Sequence, residues 1–270
     1  EADVRLVADI ASLGAAIPEA SKAIARDVVR QVVEALMARL APRTRDAVRG
    51  GLQRAKRTRR PRPADIDWPR TVLKNLRHYQ PEHRTVIPET LVGYARGQRH
   101  VDEVIMLVDQ SGSMASSVVY ASIFSAVMAA LPALRTQLVA FDTEVLDLSD
   151  LLADPVDVIF GVQLGGGTDI ARALGYVAER VRSPQQTHLV LLSDLLEGGD
   201  AKRMLQIARS LREAGVNLIV LLALSDEGQP FYDKDHAAAL AALGAPVFGC
   251  TPDQFPDLMA AALSRRDLAA

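Results

Sequence analysis

The stretch Val104-Ile105-Met106-Leu107-Val108-Asp109-Gln110-Ser111-Gly112-Ser113 decides the fold. Its first five residues are apolar and rich in β-branched side chains, which reads as a short buried strand. The chain then presents one carboxylate and two hydroxyls on alternate residues. Three hard oxygens on one tight loop suit a small, hard cation such as Mg²⁺ or Mn²⁺. Gly112 allows the loop to turn tightly enough for Ser111 and Ser113 to converge.

Two later segments repeat the arrangement. Gly165-Gly166-Gly167-Thr168-Asp169 precedes a helical pattern, Ile170, Ala171, Leu174, Val177, Ala178 and Val181, and offers Thr168 as a further hydroxyl. His188-Leu189-Val190-Leu191-Leu192-Ser193-Asp194 is a second buried strand ending in a carboxylate. In an open parallel sheet ligands collect at the carboxyl ends of the strands, so Asp109 and Asp194 are expected on one rim. The simpler reading of these residues is turn polarity and helix capping, but five oxygens in order on one rim favour a cation.

From residue 101 strands and helices alternate. Strands are read at 104–108, 138–141, 144–148, 188–194, 216–223 and 246–248. Helices are read from Ser116 or Ser117 to Leu131, after Thr168, over 201–214, over 236–243, and from Thr251-Pro252-Asp253-Gln254 onward, a capping-box pattern. The Asp142-Thr143 turn is too short for a parallel return, so 144–148 is expected antiparallel. The fold class that follows is α/β: a three-layer, doubly wound, mostly parallel sheet with one antiparallel edge strand.

Upstream the chain reads as helical. Leu6, Ile10, Leu13 and Ile17, then Ile24, Val28, Val32, Leu36 and Leu40, recur at helical spacing, with Pro18 and Pro42 as punctuation. Residues 43–67 read as a loop or frayed helix. Asp67-Trp68-Pro69 reads as the start of a helix running to Tyr79, and 80–100 as irregular. The division is thus a helical N-terminal region with a basic tail over 1–62, a linker with a short helix over 63–100, and the α/β domain over 101–266. Residues 101–270 contain every strand of the sheet and are expected to fold alone.

The five oxygen residues resemble the metal-ion-dependent adhesion site of the von Willebrand factor A (VWA) family, written D-x-S-x-S, then a distant Thr, then a distant Asp. The match falls on Asp109, Ser111, Ser113, Thr168 and Asp194 without departure, and the resemblance covers about residues 101–265. It implies a Rossmann-like fold and a cation (Mg²⁺ or Mn²⁺) completed by a Glu or Asp from a partner protein, hence recognition rather than catalysis. It also implies that site occupancy is coupled to the last helix, about Asp253 to Leu263. The D-Q-S-G-S-M form with a helical, basic region upstream is similar to the bacterial CoxE-like branch, which implies an adaptor working with a MoxR-type AAA+ ATPase.

Composition bounds the alternatives. The 270 residues are 49% hydrophobic but only 4% aromatic, so the core must be aliphatic. No apolar run is read as reaching the ~18 residues of a membrane span, and no membrane partner is expected. The start, Glu1-Ala2-Asp3-Val4-Arg5, lacks signal-peptide character and an initiator methionine, as a piece of a longer protein would. The single Cys250 precludes an internal disulfide and fits a reducing cytoplasm. Between Arg39 and Arg62 ten Arg or Lys face one acid, Asp46, a segment net charge of +9; the whole chain is at −2, leaving −11 elsewhere. That polarity predicts that the basic segment lies near acidic surface.

Rival readings are weaker. A scaffold binding nucleic acid through residues 39–62 would lack aromatic stacking platforms, so nucleic acid is not the expected partner. A Mg²⁺-dependent hydrolase or phosphatase using an aspartyl nucleophile would want an acid two residues after Asp109, where Ser111 stands. The Gly165–Thr168 loop lacks the Lys of a phosphate loop, so ATP binding by this chain is not expected. The five His show no zinc spacing, and Cys250 reads as a buried small residue. Asp142 and Asp169 read as a turn residue and a helix-dipole partner, or as acids behind the ligands.

Overall fold

The computed structural model describes residues 3–13, 17–54, 57–58, 61, 63–94, 102–162, 166–224 and 232–264. Gly165 and part of the basic segment lie outside them. The central sheet has six strands: β1 (Asp102–Asp109), β2 (Leu134–Phe141), β3 (Val145–Asp147), β4 (Thr187–Leu192), β5 (Asn217–Leu224) and β6 (Val247–Cys250). Their order is β6-β5-β4-β1-β2-β3. Every pairing is parallel except β2 with β3, where Phe141 faces Val145. This is the mostly parallel α/β sheet with one antiparallel edge strand that the sequence predicts.

Alternate strand residues sort onto two faces, as a period of two requires. Val104, Met106 and Val108 of β1, with Val190 of β4, Ile219 of β5 and Leu138 of β2, belong to one apolar cluster. That cluster includes α4 (Ala115–Ala129), α5 (Pro155–Gly161) and α9 (Phe255–Leu263). Ile105 and Leu107, with Leu189, Val220 and Phe141, belong to the other. There the helices are α6 (Ile170–Ala178), α7 (Ala201–Ala214) and α8 (Lys234–Ala242).

The N-terminal helices α1 (Val4–Leu13) and α2 (Glu19–Arg54) add a further layer outside α4 and α9. Val7, Val29, Val33, Leu36, Leu40 and Val48 are buried in the same cluster as β1. The 102–264 portion therefore shares its core with α1 and α2, which bears directly on the expectation that it folds alone. Gly51 marks the closest approach: a Cβ there would lie 2.7 Å from the Ala260 carbonyl oxygen, against α9 backbone. Ion pairs Arg26–Asp157, Arg30–Asp154 and Arg43–Asp257 dock α2 onto α5 and α9.

Two sequence expectations for α2 fail. Pro42 does not end the helix, which runs on to Arg54. An interior proline costs about 3 kcal/mol, but Leu36, Leu40, Ala41, Thr44 and Val48 are all buried around it, and each buried apolar side chain returns about 1.5–3 kcal/mol. The buried stripe is also rotated: Val29 and Val33 point inward while Ile24 is exposed. The Val28-Val29 and Val32-Val33 doublets fit either face, and only packing chooses.

Helix α4 is apolar all round because it is covered all round; Ser117 to Met128 are buried without a break. Gly112–Ala129 is in fact long and apolar enough to cross a membrane, which the sequence reading overlooked because serines interrupt its apolar runs, yet 72% of it is buried in the fold. No serine caps it; a 3₁₀ turn over Gly112–Met114 leads in instead. Phe124 of α4 stacks on Phe255 of α9 with ring centroids 4.2 Å apart. Before α9, Gln254 Oε1 accepts the Thr251 N–H at 3.3 Å, the returning half of a capping box, though the helix proper begins at Phe255.

Between α2 and the sheet, α3 (Trp68–Lys74) starts as expected with Asp67 accepting the Arg70 N–H, but it ends at Lys74. Asn75 stops it by turning its amide to Thr71 O, Thr90 O and the N–H groups of Glu89 and Thr90.

Candidate metal centre

The strand order reverses beside β1. From β1 the chain goes outward to β2 and β3, then returns to β4 on β1's other side. The segments leaving β1 and β4 therefore part and leave a crevice at their carboxyl ends.

Asp109 is the last residue of β1 and is fully buried. The Gln110 N–H still donates to Phe141 O (2.9 Å). The chain then turns back, because the Ser111 N–H donates to Asp109 Oδ1 at 2.8 Å. Ser111 Oγ and Ser113 Oγ lie 3.2 Å apart, and Ser113 Oγ donates to Asp194 Oδ2 at 2.7 Å. Ser193 Oγ donates to Asp109 Oδ2 at 2.7 Å. Asp109, Ser111, Ser113 and Asp194 thus form one hydrogen-bonded chain across the crevice.

Thr168 sits on the adjoining loop and is nearly buried. Its carbonyl accepts the Gly198 N–H at 2.8 Å, and the following Asp169 N–H donates to Asp142 O at 2.8 Å. A Cβ on Gly198 would come within 2.9 Å of that carbonyl, so glycine permits the close approach of the two loops. Asp142 is a turn residue, accepting the Glu144 N–H at 2.6 Å. Asp169, rather than Thr168, is the N-cap of α6, with its side chain accepting the Arg172 N–H.

Two side chains that shape this site are not singled out by the sequence. Ser193 is fully buried and bridges to Asp109; its position just before Asp194 at a strand end was the available signal. Glu197 accepts the N–H groups of Ile170 (2.7 Å) and Gly199 (3.2 Å), pinning α6 to the loop after β4. Nothing in the sequence marks it.

Burial raises the Asp109 carboxyl above its ordinary range, and the charge of Asp194 adds to the shift; hydrogen bonds from Ser111 and Ser193 oppose it. Among the described residues no Lys, Arg or His forms an ion pair with Asp109 or Asp194. Two buried acids without a protein cation are costly. Every donor here is oxygen, two carboxylates and three hydroxyls counting Thr168, which fits Mg²⁺ or Mn²⁺. Among the described residues no three His, Cys, Asp or Glu side chains cluster as a metal group, so a cation here would depend on the hydroxyls too. A cleft of about 610 Å³ runs along α6, lined by Glu144, Asp169, Arg172, Tyr176, Asp200 and Arg203 and by none of the five oxygen residues.

A parallel sheet of this order, carrying D-x-S-x-S after its central strand, is that of a VWA domain. The family described as "VWA domain containing CoxE-like protein" matches residues 36–259, and the chain belongs to it. It is 38% identical over 240 residues to the protein YehP of Escherichia coli (strain K12), covering 88% of this chain and 64% of that one. The chain therefore spans less than two thirds of that relative's length. Among solved structures it is similar to the von Willebrand factor type A structure from Catenulispora acidiphila, at 16% identity and TM-score 0.45 over 64% of this chain and 44% of that. It is also similar to the RO (RSR) protein of Deinococcus radiodurans, at 15% identity and TM-score 0.42 over 97% of this chain and 52% of that. Membership of the VWA family supports a protein-interaction role in general, and its CoxE-like members are generally non-catalytic adaptors.

Proposed function

We propose that this chain is a metal-dependent, non-catalytic adaptor. Asp109, Ser111, Ser113, Thr168 and Asp194 hold one Mg²⁺ or Mn²⁺, and a Glu or Asp of a partner protein completes the shell. The observation that carries this reading is the pair of buried acids, Asp109 and Asp194, linked by serine hydroxyls and matched by no protein cation among the described residues. Mg²⁺ retains several waters and exchanges one for an outside oxygen readily, and a shell rich in neutral hydroxyls leaves it charge to attract a carboxylate.

By resemblance to the CoxE-like branch, one partner is a MoxR-type AAA+ ATPase, the protein works in the cytoplasm, and the chain links that ATPase to a client. The test is a pull-down from cell extract with Mg²⁺, with EDTA, and with Thr168→Ala in Mg²⁺. Partners should be captured only in the first arm at full yield. The same partners in all three arms would remove the metal from the interaction.

A further inference from the structure

We propose that Asp233 and His236, at the start of α8, are positioning residues for this centre: they hold the turn Asp194-Leu195-Leu196 in the conformation that aims Asp194 at a cation. The inference rests on the metal reading above. Leu195 is fully buried and has φ of 62°, a backbone conformation that a side chain with a Cβ rarely adopts. Such a residue persists only where its surroundings fix it.

Here α8 does so at two consecutive carbonyls. The Asp233 N–H donates to Asp194 O at 3.0 Å. His236 Nδ1 lies 3.0 Å from Leu195 O and 3.3 Å from Asp233 Oδ2. Both neighbours only accept hydrogen bonds, so Nδ1 carries the proton and donates. Asp233 orients the ring with Oδ2 while its Oδ1 accepts the N–H groups of Asp235 and His236, each at 2.9 Å, capping α8. The next N–H, of Leu196, reaches back to Asp194 Oδ1 at 3.2 Å, and Asp194 Oδ2 takes the Ser113 hydroxyl. Loss of the His236 bond frees the Leu195 peptide to relax to negative φ, which swings the Leu196 N–H away from Asp194.

The experiment measures Mn²⁺ affinity by calorimetry and amide exchange at Leu196 in the parent, His236→Ala and His236→Asn, with thermal unfolding as a control on folding. An asparagine amide offers an N–H near the place of Nδ1. His236→Ala should bind Mn²⁺ about tenfold or more weakly, as loss of a residue supporting a metal ligand does, and exchange Leu196 faster; His236→Asn should recover both. Parent-like affinity or parent-like exchange in His236→Ala overturns the inference, as does a His236→Asn protein no better than His236→Ala. A parent that binds no Mn²⁺ overturns the metal reading itself and this inference with it, whereas a parent that binds while His236→Ala binds equally well overturns this inference alone.

Discussion

Ser113 Oγ donates to Asp194 Oδ2 at 2.7 Å, joining the loop after β1 to the end of β4 across the point where the strand order reverses. One hydroxyl thereby ties together two segments that are 81 residues apart in the chain.

Ser113→Ala should separate the two roles of that hydroxyl. Without metal, the variant should lose about 1 kcal/mol, the usual net worth of a hydrogen bond. With Mn²⁺ the loss should be larger, because a ligand goes as well. Denaturant unfolding with and without the ion measures both; equal losses in the two conditions would leave Ser113 with a structural role only.

The contact of α2 with α9 makes opposite predictions for adjacent glycines. At Gly51 a Cβ would press on the Ala260 backbone, whereas at Gly50 nothing lies within 4 Å. Gly51→Leu should destabilise by about 1–3 kcal/mol through overpacking. Gly50→Ala should stabilise by about 0.5–1 kcal/mol, since both lie inside a helix. Thermal unfolding of the two variants checks the helix crossing.

A fragment beginning at residue 102 lacks the side chains that cover the outer faces of α4 and α9. It should unfold without a sharp transition and bind a hydrophobic dye, because Val29, Val33, Leu36 and Leu40 belong to the shared cluster. Restoring the chain from residue 17 should restore cooperativity. A fragment from 102 that melts as sharply as the full chain would show the layer to be dispensable.

The Cys250 thiol is pushed up to about 12 by burial. Since the thiolate is the nucleophile, the folded protein should resist a thiol reagent at pH 8 and react fully once unfolded. The folded value lies above the unfolded one, so the stability contributed by the neutral thiol is complete below the ordinary value of 9.0 and is lost as the pH rises toward 12. Rapid labelling under native conditions would contradict the burial.

Much of this was legible in the sequence because it is local. Strand-ending acids and hydroxyls placed Asp109, Ser111, Ser113 and Asp194 on one rim, and the two-residue turn after β2 forced an antiparallel edge. What escaped depends on contacts between distant segments. The Val-Val doublets of α2 fit either face until α4 and α9 choose one, and Pro42 breaks a helix only where packing does not outweigh it. The bridging role of Ser193 needs β1 beside β4. Glu197 and the left-handed Leu195 are fixed by α6 and α8, which no spacing within their own segment reveals.

The most direct test of the central claim is a calorimetric titration of the full chain with Mg²⁺ or Mn²⁺, parent against Asp109→Asn, which keeps the shape of the side chain and removes its charge. The parent should bind one ion. Ion at about 100 times its dissociation constant should add about 2.7 kcal/mol to stability, several degrees in melting temperature for a chain of this size. Asp109→Asn should show neither the binding heat nor the shift, while melting at or above the metal-free parent because a buried charge beside Asp194 is gone. A parent that takes up no ion, or a variant that binds as the parent does, would contradict the account.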